Sequence, residues 1–436
     1  MIVRLLWLML CLATTAAPAA SGDWWLGGTV AMDTAVQTAD GRAQKAETTL
    51  MPEIEWRSPW GFDLTAIGRL RADALDRLQP GRPGFRYYDP ASRPQALGTN
   101  GEIDLRELYA DFYLGPLYLR LGKQQIVWGK TDGLKLLDRV NPQSLREFIL
   151  PEFEQSRIPQ WSLRAEFPLG PVWQAQLIAI ADVSVDALPP EEGAFAVTSP
   201  KLVPTAPSGT PARIRPAMAP QHRFADGDVG ARLSAFLGGW DVTLNYLYHY
   251  VDRPTFHRST RPDGIAITPH YYRTHTVGGS AANAFGDFTV RSELAYATDR
   301  RLIAADPYDT DGVIDSREGS AMLGVDWMGL TDSIVSTQVF ASWVDLSEGP
   351  ATREELEWSI THLVERSFLN QALTLRGQAI HDINDGDGLL RASVTYDYRA
   401  DVELRIGADF FYGPSEGRFG QFKHRDRITF SITRSF

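Results

Sequence analysis

The sequence predicts an all-β protein: a closed antiparallel transmembrane β-barrel of about eighteen strands, with about sixteen as the alternative count and a short helix in an external loop. Three observations carry that prediction. An export leader opens the chain, apolar and charged residues alternate in run after run, and short turns trade places with long polar connections.

Arg4 supplies a positive start to the leader, and Leu5 to Ala13 is an unbroken apolar run. Ala17 and Ala19 then take the A-x-A spacing that a signal peptidase reads. Residues 1–20 therefore read as a signal peptide and residues 21–436 as a single barrel domain. The one cysteine, Cys11, falls in the leader, which excludes a disulfide framework or thiolate metal site in the mature chain. No later stretch reaches the roughly 18 apolar residues of a spanning helix. The chain is polar on average yet 11% aromatic, which suits strands with one face in lipid and the other in water. A net charge of -11 argues against a nucleic-acid partner, which would need clustered Lys and Arg.

Consecutive side chains of a strand point to opposite faces, so a half-lipid strand must alternate. Trp240, Val242, Leu244, Tyr246, Tyr248 and Tyr250 share one face, against Asp241, Thr243, Asn245 and His249. Phe288, Val290 and Leu294 oppose Thr289, Arg291 and Glu293. Val402, Leu404, Ile406, Ala408 and Phe410 oppose Glu403, Arg405 and Asp409. In a soluble sandwich the charged positions would form the core, where unpaired charge is expensive. The charged face here is the wet one.

The connections fall into two kinds. Short ones carry turn residues: Ser58-Pro59-Trp60-Gly61, Gly115-Pro116, Pro168-Leu169-Gly170-Pro171, Gly238-Gly239, Phe285-Gly286-Asp287 and Arg399-Ala400-Asp401. Between them lie long polar stretches near residues 76–101, 129–159, 184–225, 252–270 and 301–317. Short periplasmic turns alternating with long external loops is the habit of bacterial barrels, with strands of roughly ten to thirteen residues and both termini periplasmic. At the C-terminus, Ile428, Phe430, Ile432 and Phe436 share the apolar face, which Arg434 interrupts at the membrane boundary. A terminal Phe after such a run resembles the signal read by the barrel-assembly machinery.

The third external loop is the most informative segment. Asn141 reads as an N-cap with Pro142 at the first helical position, and Pro151 ends the helix begun there. Such a structured loop is expected to fold inward and constrict the lumen with Lys130, Asp132, Lys135, Asp138, Arg139, Arg146 and Glu147. A self-paired surface loop is the plainer alternative. LGKQQIVWG (121–129), RVNP (139–142) and the Pro-flanked segment after them resemble a porin-like outer-membrane family described as a domain of unknown function. The LGKQ lead is also similar to that of alginate-export and phosphate-selective porin barrels. The resemblance implies an outer-membrane location, a channel or trafficking role, and work beside an inner-membrane exporter.

Alternation turns Arg120, Gln124, Arg164, Glu166, Arg291, Glu293, Arg376, Arg391, Glu403 and Arg405 into the lumen. Opposed charges across a pore order water and favour polar solutes. The same charges could instead pair along the wall. Asp309, Asp311 and Glu318 are spaced partly like a calcium loop, but Pro307 stands where its first ligand belongs. His249, His275 and His381 are scattered singly, and no nucleophile or phosphate-binding motif appears, so no enzyme and no cofactor is expected. The sequence thus predicts a porin-like channel for polar or amphipathic solutes, in contact with outer-membrane lipid and lipopolysaccharide. The alternatives are a conduit for hydrophobic compounds, which would want an apolar spot such as Ile67, Ile126, Leu247, Ile380 and Phe411, and an outer-membrane hydrolase.

Overall fold

The computed structural model describes residues 22–81, 83–204, 212–261, 264–306 and 309–436. The expected leader (1–20), Pro207 in the longest predicted loop and Pro307 lie outside them. Eighteen antiparallel strands close into one barrel. In order they are Asp23–Gln37, Ala43–Arg57, Phe62–Asp73, Gly101–Leu114, Leu117–Gln124, Gln160–Leu169, Trp173–Ile180, Asp228–Leu237, Trp240–Tyr250, Arg273–Phe285, Phe288–Ile303, Val313–Trp327, Ser333–Val344, Leu356–Phe368, Leu373–Asp382, Asp387–Arg399, Val402–Tyr412 and Arg427–Ser435. Each pairs with the next, and residues 29–37 pair with 427–435 to seal the ring. Phe436 and Gly28 exchange N–H···O=C bonds of 3.1 Å at that seam.

The alternation read from the sequence sorts the side chains as expected. Leu244 and Leu294 are 60% and 62% exposed on the outer face, whereas Thr243 and Glu293 are 2% and 1% exposed inside. Aromatic pairs gather at the end that holds the termini: Trp24 on Trp56 at 5.4 Å, Phe62 on Phe112 at 5.5 Å and Tyr113 on Tyr118 at 5.4 Å. Amphipathic rings favour the lipid–water boundary, so these mark the periplasmic interface.

All the predicted turns lie at that end, joined by two that composition does not signal clearly, at 328–332 and 369–372. The second is built on Leu369, Asn370 and Gln371, three successive non-glycine residues at φ 55°, 57° and 69°. Left-handed backbone without glycine leaves little mark in a sequence. Gly238 and Gly239, at φ 55° and 90°, make the two-residue turn their composition announces. The opposite end carries the five predicted long loops, now bounded at 74–100, 125–159, 181–227, 251–272 and 304–312. Shorter ones at 38–42, 345–355, 383–386 and 413–426 complete the set.

Two expectations are corrected. Strand length is uneven, from 8 residues in Leu117–Gln124 and Trp173–Ile180 to 16 in Phe288–Ile303. Where the wall is low, loops 125–159 and 181–227 leave it early. Nor is there a helix from Pro142 to Pro151. The only α-helical turn among the described residues is Phe153–Ser156, on the far side of Pro151. Asn141 does not cap. Its Oδ1 accepts from the Ile126 N–H at 2.7 Å and its Nδ2 donates to the Ile158 carbonyl at 3.0 Å, clasping the two stems of the loop. Gln143 and Ser144 instead form isolated bridges to Arg157 and Ala187, and that extended pairing excludes helical hydrogen bonds.

Candidate functional site

The 125–159 loop crosses the inside of the barrel. Its first stem packs Ile126 and Trp128 against Ile178, Ile180 and Leu247 of the low wall. Trp128 Nε1 donates to Gln176 at 2.6 Å, and the indole rests over Gly230, where an added Cβ would lie 2.7 Å from the ring. Farther along, Leu137 occupies a second gap over Gly278, where a Cβ would come within 2.5 Å of it. These glycines are sockets, since a close-packed interface has no room for a side chain there.

Charges fasten the loop on both sides. Lys130 pairs with Asp241, and Asp132 with Arg291 at 2.7 Å. Gln338 exchanges two hydrogen bonds with Asp132, at 2.9 and 3.1 Å. Glu293 accepts from the N–H groups of Lys130 and Leu137. On the opposite wall Arg146 forks onto Glu47 at 2.6 and 3.1 Å. Glu147 takes Lys45 at 2.9 Å and Arg427 at 2.7 Å, and Arg427 continues to Asp409 at 2.8 Å. Burial by itself would raise the Glu147 carboxyl, but Lys45, Arg427 and Arg146 hold it well below the usual carboxylate range. Removing one member of such a buried set typically costs about 3–5 kcal/mol, because its partners stay buried and unpaired.

Arg106 sets the helical turn in place. A bulge between Ile67/Gly68 and their partners shifts the register, so that Arg106 and Glu107 both face inward. Arg106 Nη2 donates to the Glu154 carbonyl at 2.6 Å, within the turn Phe153–Ser156.

The loop divides the lumen into two cavities that share Pro151 and Ser156 as lining. The periplasmic one, of about 500 Å³, is lined by Arg146, Glu147, Arg376, Arg391, Glu403 and Arg405 among others. The outer one, of about 400 Å³, takes in Lys135, Asp138 and Arg139. Of the expected constriction residues, Lys130 and Asp132 are thus spent on the wall and the other five face a cavity. Among the expected pore-lining residues, Arg291 and Glu293 hold the loop. Arg120 (with Asp111 at 2.6 Å), Arg164 (with Glu166 at 3.2 Å) and Gln124 (donating to the Ser162 carbonyl at 3.2 Å) pair within the wall.

Arg106 and Arg300 are among the inward charges that alternation misses. Both lie at bulges, and adjacent charges inside an alternating run (Arg106-Glu107, Asp299-Arg300) are the signal that could have found them. Arg253, Arg353 and Arg418 reach the outer cavity from loops. The calcium loop is not assembled. Asp309 accepts from its own Asp311 and Gly312 N–H groups, while Glu318 lies on a strand between Arg300 and Arg353. The three histidines bond singly, to Thr276, Tyr246 and Tyr412, and none joins a serine to a carboxylate.

The apolar spot forms only in part, as two clusters, and Ile67 joins neither but lines the periplasmic cavity. Ile126 and Leu247 belong to the first stem's cluster, whereas Ile380 and Phe411 pack with Phe148, Phe195, Phe419 and Phe422 from three loops. Those rings meet tilted or edge-on, with centroids 4.8 to 6.3 Å apart.

Barrel, seam and in-folded loop define a porin-type outer-membrane protein. Residues 81–436 match the family described as "Protein of unknown function (DUF1302)", and the chain belongs to that family. No curated protein matches. Among solved structures, OpdK of Pseudomonas aeruginosa superposes with a TM-score of 0.52 at 11% identity, over 95% of this chain and 99% of its own. OccK2 (OpdF) of the same organism, in complex with glucuronate, gives 0.51 at 11% identity over 95% and 98%. OccAB3 of Acinetobacter baumannii gives 0.51 at 10% identity over 96% and 100%. At such identities the likeness is one of fold.

Proposed function

We propose that this protein is a loop-constricted channel that passes small polar or amphipathic solutes across the outer membrane without covalent chemistry. The observation that carries the reading is the 125–159 loop, laid across the lumen and ion-paired to both walls with a charged cavity on either side. A purely structural plug would not need cavities of about 500 and 400 Å³ lined by cations and acids. Outer-membrane lipid and lipopolysaccharide would surround the apolar belt, and the half-exposed Phe436 would be read during assembly.

The second reading is a conduit for hydrophobic compounds serving an inner-membrane exporter. The lumenal cluster around Phe148 and Phe411 favours it, but its centre, Phe195, Phe419 and Phe422, is exposed to 2% or less and so packs loops together rather than lines a path.

Planar-bilayer recordings test the proposal. Deleting residues 132–150 should raise conductance several-fold with the barrel still assembled. Replacing Arg139 and Arg146 with Gln should shift selectivity towards cations, because Glu47 and Glu147 then lose a counter-charge beside the throat. The shift should shrink in high salt, where fixed charge is screened. Unchanged conductance and selectivity in both variants would refute the reading.

A further inference from the structure

We infer that the outer cavity is a binding subsite for a small organic carboxylate with an apolar body, its head taken by Arg300, Arg353 and Arg139. The inference rests on the channel reading, since the subsite would be the recognition step before the constriction.

The cationic side is built from three separate segments. Arg300 follows the bulge in Phe288–Ile303, Arg353 comes from the 345–355 loop and Arg139 from the crossing loop. A carboxylate already sits among them: Glu318, with Arg300 Nε at 2.8 Å, Arg353 Nη1 at 3.6 Å and the Ser342 hydroxyl at 3.3 Å. Arg139 adds its field at the same carboxylate. The grip is incomplete, however. Arg300 Nε and Glu318 Oε2 approach off the hydrogen-bond axis, so both are buried without a hydrogen bond, and so is Arg353 Nε. Among the described residues Arg139 bonds through its Nε alone, to the Leu136 carbonyl at 2.7 Å. Unused guanidinium donors are what a second carboxylate would engage, since charge-assisted bonds to a planar oxyanion are the strong ones.

Of the other acids of the cavity, Glu357 shares Arg353, at 2.8 Å, and the rest are held elsewhere. Asp138 is held by Arg157 at 2.8 Å and Lys135 at 3.0 Å, Asp186 by Arg253 at 3.3 Å, and Asp382 accepts from the Asn384 and Asp385 N–H groups at 3.2 and 3.3 Å. Asp385 is held by Lys201. Burial, reinforced by Asp186 and Asp228 and only partly offset by Arg253, pushes the Asp252 carboxyl well above the ordinary range.

The same cavity has an apolar wall, formed by Leu134, Leu136, Phe148, Phe153 and Phe340. A polyol would leave that wall unsatisfied, and a cation would meet the guanidinium groups. An aryl or alkyl carboxylate satisfies both sides, and about 400 Å³ is within the ~300–1,000 Å³ range of small-molecule sites.

The test is calorimetric titration of the whole mature barrel in detergent with 4-phenylbutyrate, its neutral amide and acetate. Phenylbutyrate should bind saturably, and the amide and acetate about tenfold or more weakly. Arg139→Gln, which leaves the Arg300–Glu318–Arg353 contacts in place, should weaken phenylbutyrate about tenfold. Glu318→Gln removes the resident competitor and should tighten it, whereas a merely structural Glu318 would predict loss. The Arg300→Gln/Arg353→Gln double variant should abolish binding. If it fails to assemble, as judged by heat-modifiable migration on a gel, the two single variants decide. Equal binding of acid and amide, no effect of Arg139→Gln, or weaker binding in Glu318→Gln would each overturn the subsite. Conductance of the same preparations separates the two readings. A barrel that conducts but ignores the carboxylate overturns the subsite alone. One that binds it and never conducts overturns the channel and leaves a receptor site.

Discussion

A single face decides the fate of each strand residue. Leu244 is 60% exposed on the lipid side, and an Arg there should cost about 2–4 kcal/mol of folding free energy near mid-bilayer. Its neighbour Thr243 suggests itself as the lumenal control, but it is 2% exposed and shares a 2.8 Å hydrogen bond with Ser280, so a large side chain there would clash. Thr433 is the better control. It lines the periplasmic cavity and stands opposite Glu403, where an arginine finds water and a counter-charge. Leu244→Arg should therefore reduce the folded fraction in urea titration in lipid vesicles, and Thr433→Arg should not. Equal effects would mean that the faces are misassigned.

At the level of elements, the crossing loop is a side chain-by-side chain fit to the wall. Gly278 shows this most sharply, because a Cβ there would come within 2.5 Å of Leu137. Gly278→Leu should leave the strands paired but push the loop from its socket, breaking the nearby bond of Leu137 N–H to Glu293 at 3.1 Å. Protease cleavage within 125–159 on the folded barrel should accelerate about tenfold or more, the kinetic face of a loss of some 1–3 kcal/mol by overpacking. Unchanged cleavage would mean that the loop is held elsewhere. The loop's inward course was foreseeable from its charge and proline content. Its conformation was not, because Asn141 had two uses open to it, and the distant stems at Ile126 and Ile158 decided between capping and clasping.

For the whole molecule, closure between the first and last strands puts every long loop at one end, and Asp23 and Phe436 at the other. An epitope inserted at Gly349, in the 345–355 loop, should be labelled on intact cells, while one at Gly239 should need permeabilised cells. The reverse pattern would invert the topology. The 345–355 and 413–426 loops left no strong composition signal, yet they bring Arg353 and Arg418 to the outer cavity. Side chains that reach a site from short loops carry no periodicity of their own, so only the closed ring shows where they meet.

The sequence by itself determined the barrel and its lipid and lumen faces, left its strand count at about eighteen or sixteen, and singled out the segment expected to enter the lumen. Those properties rest on period-two alternation and turn chemistry, which are local and repeat in every strand. The tertiary structure decided the rest. Bulges at Arg106 and Arg300 broke the parity on which inward and outward were counted, and wall glycines admitted Trp128 and Leu137. The charges of the wall then divided into those that hold the loop, those that pair with each other, and those left facing a cavity. That division depends on contacts between residues far apart in the chain, such as Arg146 and Glu47, separated by 99 positions, or Arg427 and Glu147, separated by 280. No local pattern encodes it, because each charge had several partners of the right sign and only closure of the ring selected one.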